Sequence, residues 1–134
     1  MTTLLGFDYG SQKIGIAVGQ TITQNANPLT TLRNHTGKPD WSTITQLINE
    51  WLPAALVVGH PFEMDDQEAS NAPAAKKFAR QLAGRYGLPV HLMDERLTTR
   101  EAWYDLGKEA IQDFTKVDSY AAKLILQTWL TSQP

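Results

Sequence analysis

No cysteine occurs among the 134 residues, which excludes disulfides, thiolate nucleophiles and Cys-ligated zinc or iron–sulfur clusters. Long apolar runs are also missing. None reaches the ~18 residues that a membrane span needs, and no basic stretch followed by an apolar one opens the chain. A cytoplasmic location is the expectation, with no membrane partner. There is no excess of positive charge either: 12 Lys and Arg stand against 14 Asp and Glu, a net charge of −2, with a pI near 5.9. That excludes a protein holding nucleic acid by its overall charge. It leaves room for an enzyme that meets nucleic acid through a local basic face. With 42% apolar and 19% charged residues, the balance is that of a globular protein, and a chain of this size buries roughly two-thirds of its surface. No repeat, linker or low-complexity stretch divides the sequence, so one domain over residues 1–134 is expected.

The apolar pattern then gives the elements. Residues 4–8 and 14–18 are short apolar runs around Tyr9-Gly10-Ser11, the signature of a β-hairpin. Residues 28–33 form a candidate third strand, with Pro28 at its start or on an edge. Trp41, Ile44, Leu47, Ile48 and Trp51 recur at helical spacing, with Asp40 as the N-cap and Pro53 as the stop. Residues 55–58 are continuously apolar, as in a strand buried on both faces. A helix is expected over 73–86, capped by Gly87, and a strand over 90–93. Further helices are expected over 98–110, with Thr98 and Glu101 as a capping box, and over 117–130. The order β-β-β-α-β-α-β-α-α implies an α/β fold, a mixed sheet with helices on both faces.

Three acids stand at the ends of separate elements. Asp8 closes the first strand on the face of Leu4 and Gly6, beside the Gly10 turn. A carboxylate there needs donors or a cation to offset its desolvation. A turn cap accepting from Gly10 or Ser11 and a metal ligand both meet that need. Asp94 and Glu95 follow one another at a strand end, so alternation sends them to opposite faces and only one can join Asp8. The other is left to pair with Arg96 or Arg100. Asp118 shares a helical face with Ala121, Ala122, Ile125 and Trp129, while Thr115 and Asp118 also match a capping box. Three convergent carboxylates suit Mg²⁺ or Mn²⁺, which take oxygen ligands and keep waters, and two-metal phosphodiester chemistry needs such a set. Lys76, Lys77 and Arg80 lie opposite the Phe78/Leu82 face, as a solvated helix surface or as phosphate contacts. His60, the acidic stretch Glu63, Asp65, Asp66 and Glu68, and the pair Trp103 and Tyr104 carry weaker signals. A surface histidine, a solvated loop and partner or core packing account for them.

Taken together, Phe7-Asp8-Tyr9-Gly10-Ser11 with Ile14-Gly15-Ile16-Ala17-Val18, Val57-Val58-Gly59 with Pro61 and Met64-Asp65, Asp94-Glu95-Arg96-Leu97-Thr98-Thr99, and Val117-Asp118-Ser119 with Ala121-Ala122 resemble the YqgF (RuvX) family. This group is described as Holliday-junction-resolvase-like and as pre-16S rRNA nucleases. The resemblance spans essentially the whole chain. It implies a ribonuclease-H-like five-stranded sheet and a nuclease that uses Mg²⁺ or Mn²⁺ to mature the 5′ end of 16S rRNA. It carries the catalytic and metal-binding positions to Asp8, Glu95 and Asp118, choosing Glu95 over Asp94 where alternation does not. Lys13, Arg96, Lys76, Lys77 and Arg80 are then the expected substrate contacts. The partners are precursor rRNA and branched DNA, with the protein a monomer or weak homodimer. The chain departs from the family at His60, where Leu is usual, and at Glu63 and Asp66, where Asn and Gly are usual. It is also short between Leu106 and Lys116.

Two other readings compete. Asp8-Tyr9-Gly10-Ser11 before a second strand also resembles the phosphate loop of actin- and Hsp70-like kinases and ATPases, which close two such domains on a nucleotide where this chain supplies one. A non-catalytic RNA- or protein-binding module on the same fold is the second. The single domain weighs against the first, and the retained acids weigh against the second.

Overall fold

The two apolar runs around Gly10 pair with each other, and this hairpin starts the sheet. In the computed structural model, which describes residues 2–10, 12–36, 38–60, 72–94 and 114–132, β1 (Thr3–Tyr9) and β2 (Lys13–Gln20) are antiparallel. Their register runs from Tyr9 opposite Ile14 to Thr3 opposite Gln20. The Gly10 N–H donates to the Lys13 carbonyl at 2.9 Å, and Asn34 Nδ2 donates to the Gly10 carbonyl at 3.0 Å. β3 (Asn25–Arg33) lies outside β2. It begins ahead of the expected residue 28 because Asn25 already pairs with Gln20. Pro28 is tolerated inside it for two reasons: β3 is an edge strand, and the register slips at Ile16/Ala17 beside the Pro28–Ala17 pair.

The expected first helix is α1 (Trp41–Trp51). Asp40 caps it, accepting from the Thr43 N–H at 3.1 Å and from the Thr43 hydroxyl at 2.7 Å. Leu52 ends it in the left-handed region, φ 49°, with its N–H on the Ile48 carbonyl. Then come β4 (Ala55–His60), α2 (Ala72–Tyr86), β5 (Val90–Asp94) and α3 (Phe114–Ser132). Gly87 closes α2 at φ 65°, a conformation that glycine adopts without a Cβ penalty. α3 starts ahead of the expected residue 117, which puts Thr115 inside the first turn rather than at the cap. The helix expected over 98–110 lies outside the described residues.

The strand order is β3-β2-β1-β4-β5, with β4 and β5 parallel to β1. One face packs on α1 and α2: Leu5, Phe7, Tyr9, Ile14, Ile16, Leu56 and Val58 meet Ile44, Ile48, Phe78 and Leu82. The other face packs on α3: Leu4, Ala17, Ala26 and Val57 meet Ala122, Ile125, Leu126 and Leu130. Leu56, Val57 and Val58 are fully buried, so β4 is covered on both faces as its unbroken apolar run requires. Among the described residues no helix is long and apolar enough to cross a membrane.

The Asp40 cap has a pH signature. Its hydrogen bonds from Thr43 hold the carboxyl below the usual value of 3.8, against a small opposing cost of burial. A carboxyl with a lowered folded pKa adds stability above its unfolded value and loses it as pH falls through the folded one. Asp40→Ala is therefore expected to cost about 1 kcal/mol at neutral pH. In urea melts run as a pH series, the gap to the wild type should begin to close below pH 3.8.

Candidate active site

Alternation along β1 puts Leu4, Gly6 and Asp8 on the α3 face and Leu5, Phe7 and Tyr9 on the opposite one. Asp8 sits at the carboxyl end of the strand, half-buried, opposite Gly15 of β2. Lys13 begins β2 in the register of Gly15 and Ala17, on the same face as Asp8 and at the same end. A lysine there lowers the cost of bringing phosphate up to a carboxylate.

The position of Asp118 follows from how α3 meets the sheet. A β-carbon on Gly6 would lie 2.8 Å from Leu126 Cβ and 3.2 Å from the Ala122 carbonyl. One on Gly19, which pairs with Leu4, would lie 2.9 Å from both Leu126 and Leu130. α3 thus runs opposite to β1 and delivers its N-terminal turns to the carboxyl end of that strand. A step of two residues from Gly6 to Asp8 is about 6.7 Å. A step of four from Ala122 back to Asp118 is about 6 Å along the helix. The two acid-bearing positions therefore come level with each other, on one face and at one end.

β5 ends at the same edge, with Asp94 paired to His60. On this strand Met93 packs into the α3 core and His91 stacks on Trp129 of α3 with ring centroids 4.8 Å apart. Val90 belongs to the other core. Position 94 therefore has the register of Val90 and Leu92, on the face away from Asp8. Glu95 and Arg96 lie outside the described residues, as do Glu63, Asp65, Asp66, Glu68, Trp103 and Tyr104. Among the described residues no three His, Asp or Glu side chains form a metal-holding group.

The basic residues of α2 are elsewhere. α2 covers the face opposite Asp8, so the structure does not bring Lys76, Lys77 and Arg80 to the acids. Lys76 and Arg80 border an apolar groove with Ala79, Ala83, Leu88 and Leu92. Lys77 borders a separate cleft together with Lys38 and Arg85. Neither Lys38 nor Arg85 is singled out by the sequence reading. The signal was present in Lys77, Gln81 and Arg85, which recur every four residues along one stripe of α2.

The RuvX family, described as Holliday junction resolvase, matches residues 2–132. A protein of Nitrosococcus oceani named "Putative pre-16S rRNA nuclease" is 51% identical over 132 residues, covering 97% of this chain and 87% of that protein. One of the same name from Azotobacter vinelandii is 49% identical over 134 residues, covering 98% and 94%. Among solved structures, T. thermophilus RuvC in complex with Holliday junction substrate aligns over 98% of both chains, with a TM-score of 0.61 at 15% identity. The fowlpox virus resolvase with Holliday junction DNA aligns over 97% of both, with a TM-score of 0.61 at 8% identity. At such identities the likeness speaks for the fold, and that fold is ribonuclease-H-like.

The contact that levels Asp8 with Asp118 is open to test. Gly6→Ala forces a methyl into α3 and is expected to cost about 1–3 kcal/mol. Gly84→Ala is the contrasting case, exposed in the last turn of α2 with nothing within 4 Å of the added carbon. It should gain up to about 0.5 kcal/mol. Denaturant melts of the two variants should move in opposite directions.

Proposed function

Because the chain belongs to the RuvX family, we propose that it is a divalent-metal nuclease acting in the cytoplasm on the 5′ end of pre-16S rRNA. The family description and the relatives' names support a nuclease. The observation that carries the reading further is the levelling of the Asp8 and Asp118 positions by the Gly6–Ala122 approach.

Carboxylates are hard oxygen donors of the kind Mg²⁺ and Mn²⁺ select, and two acid positions on separate elements at one sheet end fit such an ion. Asp8 and Asp118 would hold it together with Glu95. With position 94 in the register of the opposite face, Glu95 would be the member of that pair to join Asp8. Once bound, the ion would supply water activation and charge for the developing phosphorane. The chain itself supplies the rest. Asp8 is carried by a strand buried between two cores, which fixes its backbone in place. Lys13 on the same face draws in a phosphate and offsets its repulsion by the acids. Arg96 is proposed to add a second cationic contact.

The test uses an RNA spanning the 5′ end of precursor 16S rRNA, with a four-way DNA junction as the alternative substrate. The RNA should be cleaved in Mg²⁺ or Mn²⁺ and left intact in chelator. Preference for the junction moves the substrate assignment to branched DNA. A wild type inactive on both, yet binding RNA, points to the non-catalytic module.

Asp8→Asn should abolish cleavage without unfolding the protein, as denaturant melts run beside the cleavage assay would show, since Asn keeps the volume and removes the charge that would hold the metal. Glu95→Gln should lose far more activity than Asp94→Asn, and the reverse order would overturn the register argument. Residues behind a metal ligand typically cost 10–100-fold in metal affinity. Asp118→Asn should therefore raise the metal requirement by at least about that much, with partial recovery at high Mg²⁺ or Mn²⁺. A folded Asp118→Asn protein that cleaves normally at low metal would leave residue 118 with no ligand role.

A further inference from the structure

The cleft on the reverse face of the sheet is not used by the acids. It has a volume of about 460 Å³ and is bordered by Tyr9, Lys38, Trp41, Lys77, Gln81 and Arg85. Among the described residues its charged lining is three cations, all of them exposed. They come from three places: the turn before α1, the first half of α2 and the last turn of α2. Among the described residues none forms an ion pair with them. In a chain of net charge −2, three exposed cations bordering one concave surface favour an anionic occupant over a cationic or neutral one.

The arrangement also says what part of a ligand it takes. The Arg85 guanidinium lies 4.1 Å from the centre of the Trp41 ring, and Phe78 stacks on the same ring at 5.6 Å and 28°. Tyr9 is packed against Phe78 at 5.0 Å. The aromatic rings are thus engaged with each other and with Arg85, and offer little to a nucleobase. What they do is hold the guanidinium plane, leaving its N–H edge for an oxyanion. The cleft supplies charge and oriented donors, which read phosphate and not sequence.

Its place on the molecule selects the source of those phosphates. Tyr9 follows Asp8 in β1, so the cleft opens at the same carboxyl end of the sheet as the acids, on the other side of a single strand layer. We infer that this cleft, through Lys38, Lys77 and Arg85, binds the sugar-phosphate backbone of the RNA strand beyond the segment at the acids, where it turns over the end of the sheet. This rests on the nuclease reading for the direction from which the strand arrives. Lys77 keeps the substrate role expected from the sequence, at a place remote from the cleaved bond. Lys76 and Arg80 border the other groove and are not part of it.

The experiment is equilibrium binding of a labelled 20-nucleotide single-stranded RNA, in chelator so that no cleavage intervenes, over a series of salt concentrations. Each phosphate contact on a single strand contributes about 0.7 to the slope of log affinity against log salt. The triple variant Lys38→Gln, Lys77→Gln, Arg85→Gln should therefore bind with a slope shallower by about 2. It should lose the same fold of affinity for two RNAs of different sequence. Arg85 also packs on Trp41, so the double variant Lys38→Gln, Lys77→Gln guards against a folding effect, with an expected change of about 1.4.

Wild-type affinity and slope in a folded triple variant would overturn the inference. So would a loss confined to one RNA sequence. So would a wild type that ignores RNA while binding a Glu-rich peptide through the same three residues, since the occupant would then be an acidic protein. Cleavage of the precursor RNA by the wild type in metal is measured alongside. Cleavage by the wild type together with normal RNA binding by the triple variant removes the cleft and keeps the nuclease. Binding lost in the variant with no wild-type cleavage keeps the cleft and removes the nuclease.

Discussion

The architecture depends on how closely one helix can approach one strand. Gly6 and Gly19 leave room on adjacent strands for α3 to settle with Leu126 and the Ala122 carbonyl against the sheet backbone. A side chain at either glycine would lift the helix or slide it along its axis. A slide of a single turn, about 5.4 Å, would take the Asp118 position out of level with Asp8. The two glycines therefore do more than permit packing. They set the register between a helix and a strand that share no hydrogen-bond ladder, in a core where misplacement by one methylene already costs free energy.

The sheet then divides labour between its faces. β1 lies where the pairing changes, antiparallel to β2 on one side and parallel to β4 on the other. Its carboxyl end, and those of β4 and β5, open at one edge of the molecule, where α/β sheets commonly place their ligands. The α3 face carries Asp8 and Lys13. The α1/α2 face carries the aromatic cluster of Phe7, Tyr9, Trp41 and Phe78 and the cations around it. Consecutive residues of one strand, Asp8 and Tyr9, thus face two different surfaces.

Much of this was legible in the residues, for reasons that can be named. Asp40, Ile44, Ile48 and Pro53 mark α1 because its cap, its buried stripe and its stop are all local. The run at 55–58 marks a doubly covered strand for the same reason. β3 is harder: Asn25 and Asn27 look like turn residues, and only pairing with β2 makes them a strand. The start of α3 is blurred because Thr115 and Asp118 satisfy a capping pattern one residue inside the helix. For the site, alternation showed that Asp94 and Glu95 must part, but not which of them faces α3. Met93 and His91 packing on the helix put position 94 in the register of the opposite face, a long-range fact with no local trace. Glu95, the choice of the resemblance, lies outside the described residues. Lys77 and Arg80 are exposed on α2, and Lys76 is half-buried there. Which side of the sheet that helix would cover was not readable.

α3 docks on strands from the opposite end of the sequence. The Gln24 side chain donates to the Leu130 carbonyl, and the Ala26 N–H donates to the Gln127 side chain, between residues 106 and 101 apart. The β1–β2 hairpin, by contrast, closes within a few residues at Gly10. Contacts of such different span do not form together, because closing a long loop costs entropy before it returns any burial. The β1–β2 hairpin can therefore form ahead of the docking of α3, and the Asp8 and Asp118 positions come level only when that long loop closes.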